Sequence, residues 1–580
     1  MAVEKLIVDH IDTWTTALQT RSTAGRGSSG KIDLYGIKKL RELILELAVR
    51  GKLVPQDPND EPASVLLERI AAEKAELVKQ GKIKKQKPLP EISEEEKPFE
   101  LPAGWEWGRL GTLFNSIQSG GTPSKINPAF WGGDIPWASV KDLGSSQYIS
   151  KTQDYITEAG LLSGSKLADS GDVLICTRMG LGKIAIASCP IAFNQDLKAV
   201  KLTSHIIPNF FFNTYSTVKI KGTGTTVEGI KQEQLVNYIT GFPPFNEQNK
   251  IVVKVKELMS LCDQLEQHTL TSLDAHQQLV ETLLTTLTDS QNADELAENW
   301  ARISKHFDTL FTTEASIDAL KQTILQLAVM GKLVPQDPND EPASELLKRI
   351  AQEKAQLVKD GKIKKQKPLP PVNDEDKLFE IPFNWEHVYL NDICEVITDG
   401  THQTPKYTDR GRPFISAQCV KPFKFMPENC RYVSEEDYQQ YIKNRTPEIN
   451  DILLARVGAG IGECAVIDVN LEFSIYVSTA LIKPIKCHIN SNYLCLWLNS
   501  PIGRLFSSRY TYGKGVSQGN LNLSLIRTFV ISIPPYKEQN LIVEKVRTYL
   551  SICEKLKSKI QSAQQTQLHL ADALTEAAIN

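Results

Sequence analysis

The stretch GKLVPQDPNDEPAS at residues 51–64 recurs without change at residues 331–344. It lies inside a longer repeat, in which residues 43–90 and 323–370 share 40 of 48 positions at an offset of 280 residues. Stacked repeat proteins have much shorter periods, of about 20 to 50 residues. The chain is therefore predicted to contain one large module that is used twice.

The sequence between the two repeats is shared only as a sparse skeleton. Residues 105–245 and 385–533, here called the first and the second head, both consist of short apolar runs separated by Gly, Asp, Asn and Ser. Such spacing is typical of β-strands joined by turns. The repeats themselves have apolar residues at helical spacing. We expect a nearly constant helical frame that carries two different, mainly β heads.

A second duplicated element follows each head at an offset of 291 residues. GFPPFNEQNKIVVKV begins at Gly241 and SIPPYKEQNLIVEKV begins at Ser532, and each is followed by a long run with apolar residues at 3–4 spacing. Such seams on helices of about 40 residues, roughly 60 Å long, are typical of a coiled coil. The predicted packing residues are Ile251, Val255, Leu258, Cys262, Leu265, Ile542, Val546, Cys553, Leu556 and Ile560.

Two interpretations of the long helices are open at this stage. The helices could pair antiparallel and give the chain an internal pseudo-twofold symmetry. Alternatively, each could be an ordinary core helix of a separate domain. We favour the pairing, because like-placed copies on one chain have matching apolar seams.

Composition excludes several classes of protein. The 580 residues are 41% hydrophobic and 23% charged, as in ordinary globular proteins, and no apolar run is long enough to span a membrane. The ten cysteines include no Cys-x-x-Cys pair and the nine histidines form no ligand-spaced cluster, so the sequence predicts reduced thiols in a cytoplasm and no metal site. The N-terminus lacks the pattern of a signal peptide.

Net charge argues against a strongly basic nucleic-acid-binding domain. The whole chain has a net charge of −3, and both heads are close to neutral. Tight DNA binding by a single domain normally requires many Lys and Arg contacts to phosphate. If DNA is the ligand, we expect another subunit to supply much of the phosphate contact.

The heads share several loops at matching places. SGGTPSK at residues 119–125 corresponds to DGTHQTPK at 399–406, and GDVLICTRMGLGK at 171–183 corresponds to NDILLARVGAGIGE at 450–463. KGTGTTVEGI at 221–230 corresponds to YGKGVSQGNL at 512–521. With these loops and the duplicated frame, the chain resembles, over essentially its whole length, the specificity subunits of type I restriction–modification enzymes.

The resemblance implies an α+β fold. Two mixed, mainly β target-recognition domains are separated by two long antiparallel coiled-coil helices, with additional repeated helical segments. The expected domains are a helical repeat region with a basic linker (1–100), target-recognition domain 1 (101–245), a long spacer helix (246–290), a central helical repeat region with a basic linker (291–378), target-recognition domain 2 (379–535) and a C-terminal long spacer helix (536–580).

The resemblance also implies a function and partners. Each target-recognition domain would read one half of an asymmetric, bipartite site in double-stranded DNA. The spacer would dock two modification subunits, which methylate adenine at N6, and up to two restriction subunits, which combine motor and nuclease. S-adenosylmethionine, ATP and Mg²⁺ are expected on those partners and no cofactor on this chain. The implied location is a bacterial or archaeal cytoplasm, in association with the nucleoid.

Polar residues of the shared loops are the candidates for contact with DNA, because Gly-rich loops let the backbone approach DNA while Thr, Ser, Gln, Lys and Arg bond to phosphates and base edges. Alternatively, the loops only turn hairpins and their polar groups are solvated; Arg178 and Arg456 could pair with Asp172 and Asp451. The lysine runs at 82–87 and 362–367 could bind phosphate or be solvated linkers. The candidates are Thr122, Ser124, Lys125, Arg178, Lys183, Thr223, Thr225, Thr226 and Lys231 in the first head and His402, Gln403, Thr404, Lys406, Arg456, Lys514, Ser517 and Gln518 in the second.

Two patterns imitate enzymes. FPPF at 242–245 and IPPY at 533–536 resemble the catalytic tetrapeptide of adenine-N6 methyltransferases, but Phe242 and Ile533 offer no acceptor for the target amino group. Gly458, Gly460 and Gly462 imitate a nucleotide-binding turn, but a strand-like run follows them where a helix would be required. We predict strand-to-helix junctions and a hairpin, and no catalysis by this chain.

Two other functions compete with DNA recognition. The chain could be a scaffold whose two heads bind proteins, with the long helices as a spacer. It could also be a methyltransferase in its own right, which would require S-adenosylmethionine to bind the isolated chain.

Overall fold

A computed structural model describes residues 3–21, 31–144, 146–220, 222, 229–443, 445–512 and 519–579; the side chains of Thr20, Arg21 and Lys31 are outside the description. The chain divides into two compact units. Unit 1 comprises residues 1–20, 32–271 and 564–580, and unit 2 comprises residues 21–31 and 272–563. Each unit therefore contains one head, one copy of the repeated frame and a part of each long helix.

Helices occur in the repeated frame, in both heads and in the long runs that follow the heads. In chain order they are α1 (Val3–Asp9), α2 (Ile11–Thr16), α3 (Tyr35–Val49), α4 (Ala63–Lys79), α5 (Glu158–Leu162), α6 (Pro208–Thr217), α7 (Gln232–Asn237), α8 (Phe245–Asp289), α9 (Ala293–Lys305), α10 (Phe307–Leu310), α11 (Glu314–Val329), α12 (Ala343–Lys359), α13 (Glu435–Ile442), α14 (Ser491–Asn499), α15 (Pro501–Arg509), α16 (Leu523–Ile526) and α17 (Tyr536–Ile579).

The strands lie mostly in the heads. They are β1 (Gln19–Arg21), β2 (Lys31–Asp33), β3 (Glu106–Arg109), β4 (Phe114–Ser119), β5 (Trp131–Ala138), β6 (Tyr148–Ile149), β7 (Asp154–Ile156), β8 (Lys166–Ala168), β9 (Val173–Cys176), β10 (Ile184–Ala187), β11 (Ile191–Phe193), β12 (Leu197–Leu202), β13 (Ile239–Phe242), β14 (Glu386–Tyr389), β15 (Cys394–Asp399), β16 (Arg412–Ile415), β17 (Val420–Lys421), β18 (Lys424–Phe425), β19 (Arg431–Val433), β20 (Ile452–Ala455), β21 (Cys464–Val466), β22 (Ser474–Ile475), β23 (Thr479–Pro484), β24 (Thr511–Tyr512), β25 (Asn520–Leu521) and β26 (Val530–Ile533).

The two heads are built around sheets of related order. In unit 1 the main sheet has the order β4-β12-β9-β10-β6, and a second sheet has the order β7-β5-β11-β8. In unit 2 the main sheet has the order β15-β23-β20-β21, and a second sheet has the order β19-β16-β22. The first strand of each head pairs with its last strand, β3 with β13 and β14 with β26, so that both ends of a head return to the frame. The fold is thus a mixture of helix and sheet, as the sequence predicts.

In unit 1 the first turns of α8 and the last turns of α17 bury their apolar residues in one cluster. Ile251, Val255, Leu258 and Cys262 share this cluster with Ala571, and Leu265 lies at its edge. The frame helix α3 completes the cluster through its own apolar residues. Because hydrophobic burial scales with the area removed from water, this third helix contributes much of the packing of the other two.

Charged side chains of α3 also contact both long helices of unit 1. Arg41 donates to Asp263 at 2.5 Å and to Glu266 at 2.7 Å, both on α8. Asp572 of α17 accepts a hydrogen bond from the Tyr35 hydroxyl at 2.7 Å and lies 3.2 Å from Lys39. The repeated frame, whose role the sequence leaves open, therefore braces the long helices.

Unit 2 repeats this arrangement with its own residues. Ile542, Val546 and Cys553 of α17 share a buried cluster with residues of the last turns of α8, and Leu556 and Ile560 are only partly buried against it. The frame helix α11 takes the place of α3. Lys557 of α17 bonds to Asp318 of α11 at 2.7 Å.

One buried carboxylate joins frame, head and long helix in unit 1. Glu247, in the first turn of α8, is 1% exposed. Its two carboxylate oxygens accept hydrogen bonds from Gln56 of the frame at 3.1 Å and from the Trp105 indole of the head at 3.0 Å. The neighbouring Gln248 accepts from the backbone N–H of Ile207 at 3.0 Å and so caps α6. Buried polar groups need such partners, which explains why these motifs recur together.

The same junction recurs in unit 2. Glu538 accepts from Gln336 at 3.1 Å and from the Trp385 indole at 3.0 Å. Gln539 accepts from the backbone N–H of Asn490 at 2.8 Å. The repeats at offsets of 280 and 291 residues, which look independent in the sequence, are thus two sides of one contact.

We expect the junction to make stability depend on pH. Burial raises the pKa of Glu247 above its ordinary value of 4.5. The folded chain therefore holds this proton more tightly than the unfolded chain, and stability falls as pH rises from 4.5 through the raised value. The free energy of unfolding of the wild type, minus that of Glu247→Gln, should decrease over this range by up to about 1.4 kcal/mol per pH unit. Urea unfolding at a series of pH values measures it, and a constant difference would contradict the assignment.

The described residues contain no helix long and apolar enough to cross a membrane.

Candidate nucleic-acid interface

Strand register in the first head brings three loop starts to one edge of the main sheet. Lys198 lies opposite Ser119, and Leu197 lies opposite Cys176. The ends of β4 and β9 and the beginning of β12 therefore coincide, because antiparallel neighbours alternate in direction. The loops at 119–125, 176–183 and 193–197 leave the sheet at this edge.

Direct contacts hold these loops together. The Thr122 hydroxyl donates to the Gln195 side chain at 2.5 Å. Arg178 lies 3.8 Å from Asp196 and its guanidinium side chain is 53% exposed. Arg178 also forms an isolated β-bridge with Gly229, which brings the segment before Lys231 to the same place. Four polar segments thus form one surface. Arg178 is paired with Asp196, and not with Asp172, the partner named in the alternative interpretation.

The other predicted residues of the first head differ in accessibility. Ser124, Lys125 and Lys231 are exposed, and the structure gives Lys125 no ion pair among the described residues. Lys183 is only half-exposed, and its ammonium donates to the Val140 carbonyl at 3.1 Å. We therefore assign Lys183 to the support of the turn. Thr223, Thr225 and Thr226 lie outside the described residues.

The second head has an equivalent edge. Ala480 lies opposite Asp399 and Thr479 lies opposite Ala455, so the ends of β15 and β20 meet the beginning of β23. His402, Gln403, Thr404 and Lys406 follow β15 and are exposed. The His402 ring lies 3.3 Å from Asp399. Lys514, Ser517 and Gln518 lie outside the described residues.

Arg456 is placed differently from its counterpart Arg178. Its side chain is 8% exposed and donates to Asp399 at 2.5 Å, to the Leu521 carbonyl at 2.9 Å and to the Val477 carbonyl at 3.1 Å. The alternative interpretation, in which Arg456 pairs with a carboxylate, named Asp451; the structure instead pairs it with Asp399, because the register of β15, β23 and β20 brings the ends of β15 and β20 to the same edge. A largely buried guanidinium held by three acceptors ties the loops together, so we assign Arg456 a structural role.

Two matching glycines are required by close backbone contacts within each head. A Cβ atom on Gly120 would lie 2.2 Å from the Asn194 carbonyl oxygen, and one on Gly400 would lie 2.1 Å from the Ile475 carbonyl oxygen. Both distances are far below van der Waals contact. Close packing against the neighbouring strand connection therefore explains the glycine at both positions.

The two enzyme-like patterns have the structures predicted for them. Phe242 ends β13 and α8 begins at Phe245, while Ile533 ends β26 and α17 begins at Tyr536. Residues 458–462 connect β20 and β21, which pair antiparallel as a hairpin. Gly458 and Gly462 have φ of 95° and 81°, values that favour glycine in such turns.

The sequence missed Gln195 and Asp196. They stand directly before β12, in a segment without glycine or a shared motif, and only the strand register brings them beside Thr122 and Arg178. The lysine runs after α4 and α12 are exposed, and no ion pair joins these lysines to other described residues. A search for polar residues at the start of every central strand would have found Gln195.

Fold and loops together define a duplicated recognition protein, in which one frame presents two unlike polar surfaces. Comparison with known proteins identifies the family. A family model described as type I restriction modification DNA specificity domain matches residues 102–275 and 382–563. The EcoAI specificity subunit of Escherichia coli is 48% identical over 612 residues, and the EcoEI specificity subunit of the same species is 47% identical over 608 residues; each match covers 100% of both chains.

A solved structure of the HsdS subunit from Thermoanaerobacter tengcongensis is 18% identical, with a TM-score of 0.38, and the match covers 83% of this chain and 98% of that one. The family model and the two full-length relatives are sufficient for assignment. The chain belongs to the specificity subunits of type I restriction–modification enzymes, the non-catalytic recognition subunits of these systems.

Proposed function

We propose that each head reads one half of an asymmetric, bipartite site in double-stranded DNA. The observation that carries this proposal is the recurrence of one sheet edge, where β4, β9 and β12 or β15, β20 and β23 meet, with different exposed side chains in each head. A constant scaffold with variable polar loops is what sequence-specific recognition requires, since base edges are read by side chains while the scaffold fixes register.

Among the described candidates, we assign DNA contact to the exposed ones. In the first head these are Ser124, Lys125, Arg178 and Lys231, with the addition of Gln195, and in the second they are His402, Gln403, Thr404 and Lys406. The partly exposed Thr122, which donates to Gln195, is assigned to the same surface. Thr223, Thr225, Thr226, Lys514, Ser517 and Gln518 remain candidates from their sequence. Since both heads are nearly neutral, most phosphate contacts would come from partner subunits.

We further propose that α8 and α17 pair antiparallel as a coiled coil that spaces the heads. The proposal is supported by the shared burial of early α8 residues with late α17 residues in unit 1, and of late α8 residues with early α17 residues in unit 2. Helices of 45 and 44 residues are each about 65 Å long. If the two half-sites are separated by a multiple of one DNA turn, both would lie on the same side of the duplex, where the heads could reach them.

The complete assembly follows from the family. The spacer would dock two modification subunits that methylate adenine at N6, and up to two restriction subunits would join them to cleave unmodified DNA. S-adenosylmethionine, ATP and Mg²⁺ would be bound by these partners. Such an assembly acts on the genome, so we place it in a bacterial or archaeal cytoplasm in association with the nucleoid.

Exchange of one head tests the proposal. Residues 105–245 are replaced by the corresponding segment of one of the two full-length E. coli relatives, and the chimera is assembled with modification subunits. Mapping of methylated adenines should show one half-site changed and the other retained. A change of both halves would overturn the modular interpretation. A complex that methylates but has no sequence preference would favour the alternative, a scaffold whose heads bind proteins.

Lys125→Ala should weaken DNA binding by the assembled complex equally for all sequences. We assign the exposed ammonium to a phosphate contact, and such contacts carry no sequence information. Its loss should reduce the slope of log affinity against log salt by about 1. Lys406→Ala should do the same in the second head, and Lys5→Ala, at an exposed position of α1, serves as the control. Fluorescence anisotropy over a range of salt concentrations measures the slope, and an unchanged slope would remove Lys125 from the interface.

A further inference from the structure

Unit 2 contains a cluster of three side chains with different metal-ligating atoms. Glu353 projects from α12, and Cys487 and His488 follow β23. The Glu353 carboxylate lies 2.8 Å from the Cys487 sulfur and 3.2 Å from the His488 Nε2 atom. One ligand atom from each residue lies within 4.8 Å of the other two.

These spacings are close to those that a tetrahedral zinc ion imposes. Zinc binds thiolate at about 2.3 Å and imidazole or carboxylate at about 2.0–2.2 Å. In a tetrahedron, such bonds separate the ligand atoms by about 3.4–3.6 Å. Shifts of less than about 1 Å would bring the three groups to that separation, which is within the reach of side-chain rotation.

The matching place in unit 1 offers an internal comparison. Glu73 there accepts from the Ser204 hydroxyl at 2.7 Å and lies 3.7 Å from His205. Asn115 also donates to Glu73, at 2.8 Å. In unit 1 the corresponding cluster has a structural role that needs no ion, since it ties the frame helix α4 to the segment after β12.

Unit 2 replaces two neutral members of this cluster with ionisable ones. Cys487 stands where unit 1 has Ser204, and Glu395 stands where unit 1 has Asn115. Burial and the hydrogen bond to Glu353 raise the pKa of the Cys487 thiol, and Glu395 lies near enough to add to this shift. Lys486, the residue before Cys487, is held by Asp451 at 2.7 Å. The substitutions add anionic capacity at one place, which is what a cation site requires.

We propose that Glu353, Cys487 and His488 form a binding site for Zn²⁺, with water as the fourth ligand. Cys487 would bind as the thiolate and release its proton to solvent, since only the deprotonated sulfur ligates zinc. The ion would fix α12 of the frame to the connection between β23 and α14 of the second head. The sequence predicts no metal site, because Glu353 is separated from the Cys-His pair by 134 residues.

Zinc binding by the full-length chain tests the proposal. Wild type, Cys487→Ser and Cys189→Ser are stripped of metal, equilibrated with Zn²⁺ in competition with a chromophoric chelator, and also loaded with Co²⁺ to record the thiolate-to-cobalt charge-transfer band. Cys487→Ser restores the serine that unit 1 carries at this place and should leave the fold intact. Cys189 is a partly exposed thiol outside the cluster and provides the matched control.

We expect the wild type and Cys189→Ser to bind one Zn²⁺ at the site and to show the cobalt band. Cys487→Ser should lose the band and at least about 100-fold in affinity, since loss of an outer partner alone costs 10–100-fold. Zn²⁺ should raise the melting temperature of the first two proteins only. Equal zinc affinity in wild type and Cys487→Ser, or a wild type without the cobalt band, would overturn the proposal.

Discussion

Arg456→Ala should destabilise unit 2 by about 3–5 kcal/mol, the usual effect of removing one partner from a buried ion pair. The variant leaves the carboxylate of Asp399, which is 13% exposed, without its guanidinium partner. It also removes the donor to the carbonyls of Leu521 and Val477, so that three loop segments lose their common contact. Urea unfolding measures the difference between variant and wild type.

Arg178→Ala is the matched control for this prediction. Arg178 stands at the corresponding place in the first head, but its side chain is 53% exposed and 3.8 Å from Asp196. Exposed ion pairs contribute about 0–1 kcal/mol, so we expect little change in stability. The variant should instead weaken DNA binding by the complex. Equal destabilisation by both substitutions would contradict the distinction between a structural arginine and a surface arginine.

The second large effect concerns the long helices. Leu258→Asp should destabilise unit 1 by more than about 4 kcal/mol, because a carboxylate replaces a leucine that is 3% exposed in a cluster of apolar side chains. Docking of modification subunits should be lost with the helix packing. Urea unfolding and size-exclusion chromatography with those subunits measure both.

Leu556→Asp, at the edge of the unit 2 cluster, should be milder. Leu556 is only partly buried, so an aspartate side chain at this position can reach solvent. We expect about 1–2 kcal/mol, the value of a partly buried leucine. The sequence alone treats the two leucines as equivalent, and a larger effect from Leu556→Asp than from Leu258→Asp would contradict the packing described for the two units.

Hydrophobic periodicity and sequence repetition predict the helices, but they do not predict which residues distant in sequence contact one another. The 3–4 spacing around Ile251 and Ile542 identifies both long helices, because one face of a helix must be apolar to be buried. The same spacing does not predict that α3 and α11 pack against the long helices and complete the buried clusters. Partners distant in sequence leave no local signal.

The candidate site shows the same division. Loop composition correctly marks the segments after β4 and β15 as polar and exposed. Loop composition does not distinguish Arg178 from Arg456, which have the same place in a shared motif. The exposure of each arginine side chain depends on which residues of the neighbouring loops pack against it. Asp399 and Leu521 enclose Arg456, whereas Asp196 leaves Arg178 open.

By itself the sequence determined that one frame is used twice, that two unlike heads stand between its copies, and that the Pro-Pro junctions are not catalytic. Repetition, hydrophobic spacing and side-chain chemistry are all properties of the chain before it folds. The tertiary structure alone decided which polar groups meet: Glu247 with Gln56 and Trp105, Arg456 with Asp399, and Glu353 with Cys487 and His488. Strand register and helix packing bring these residues together across 57 to 191 positions of sequence, and no local pattern in the sequence encodes contacts between residues so far apart.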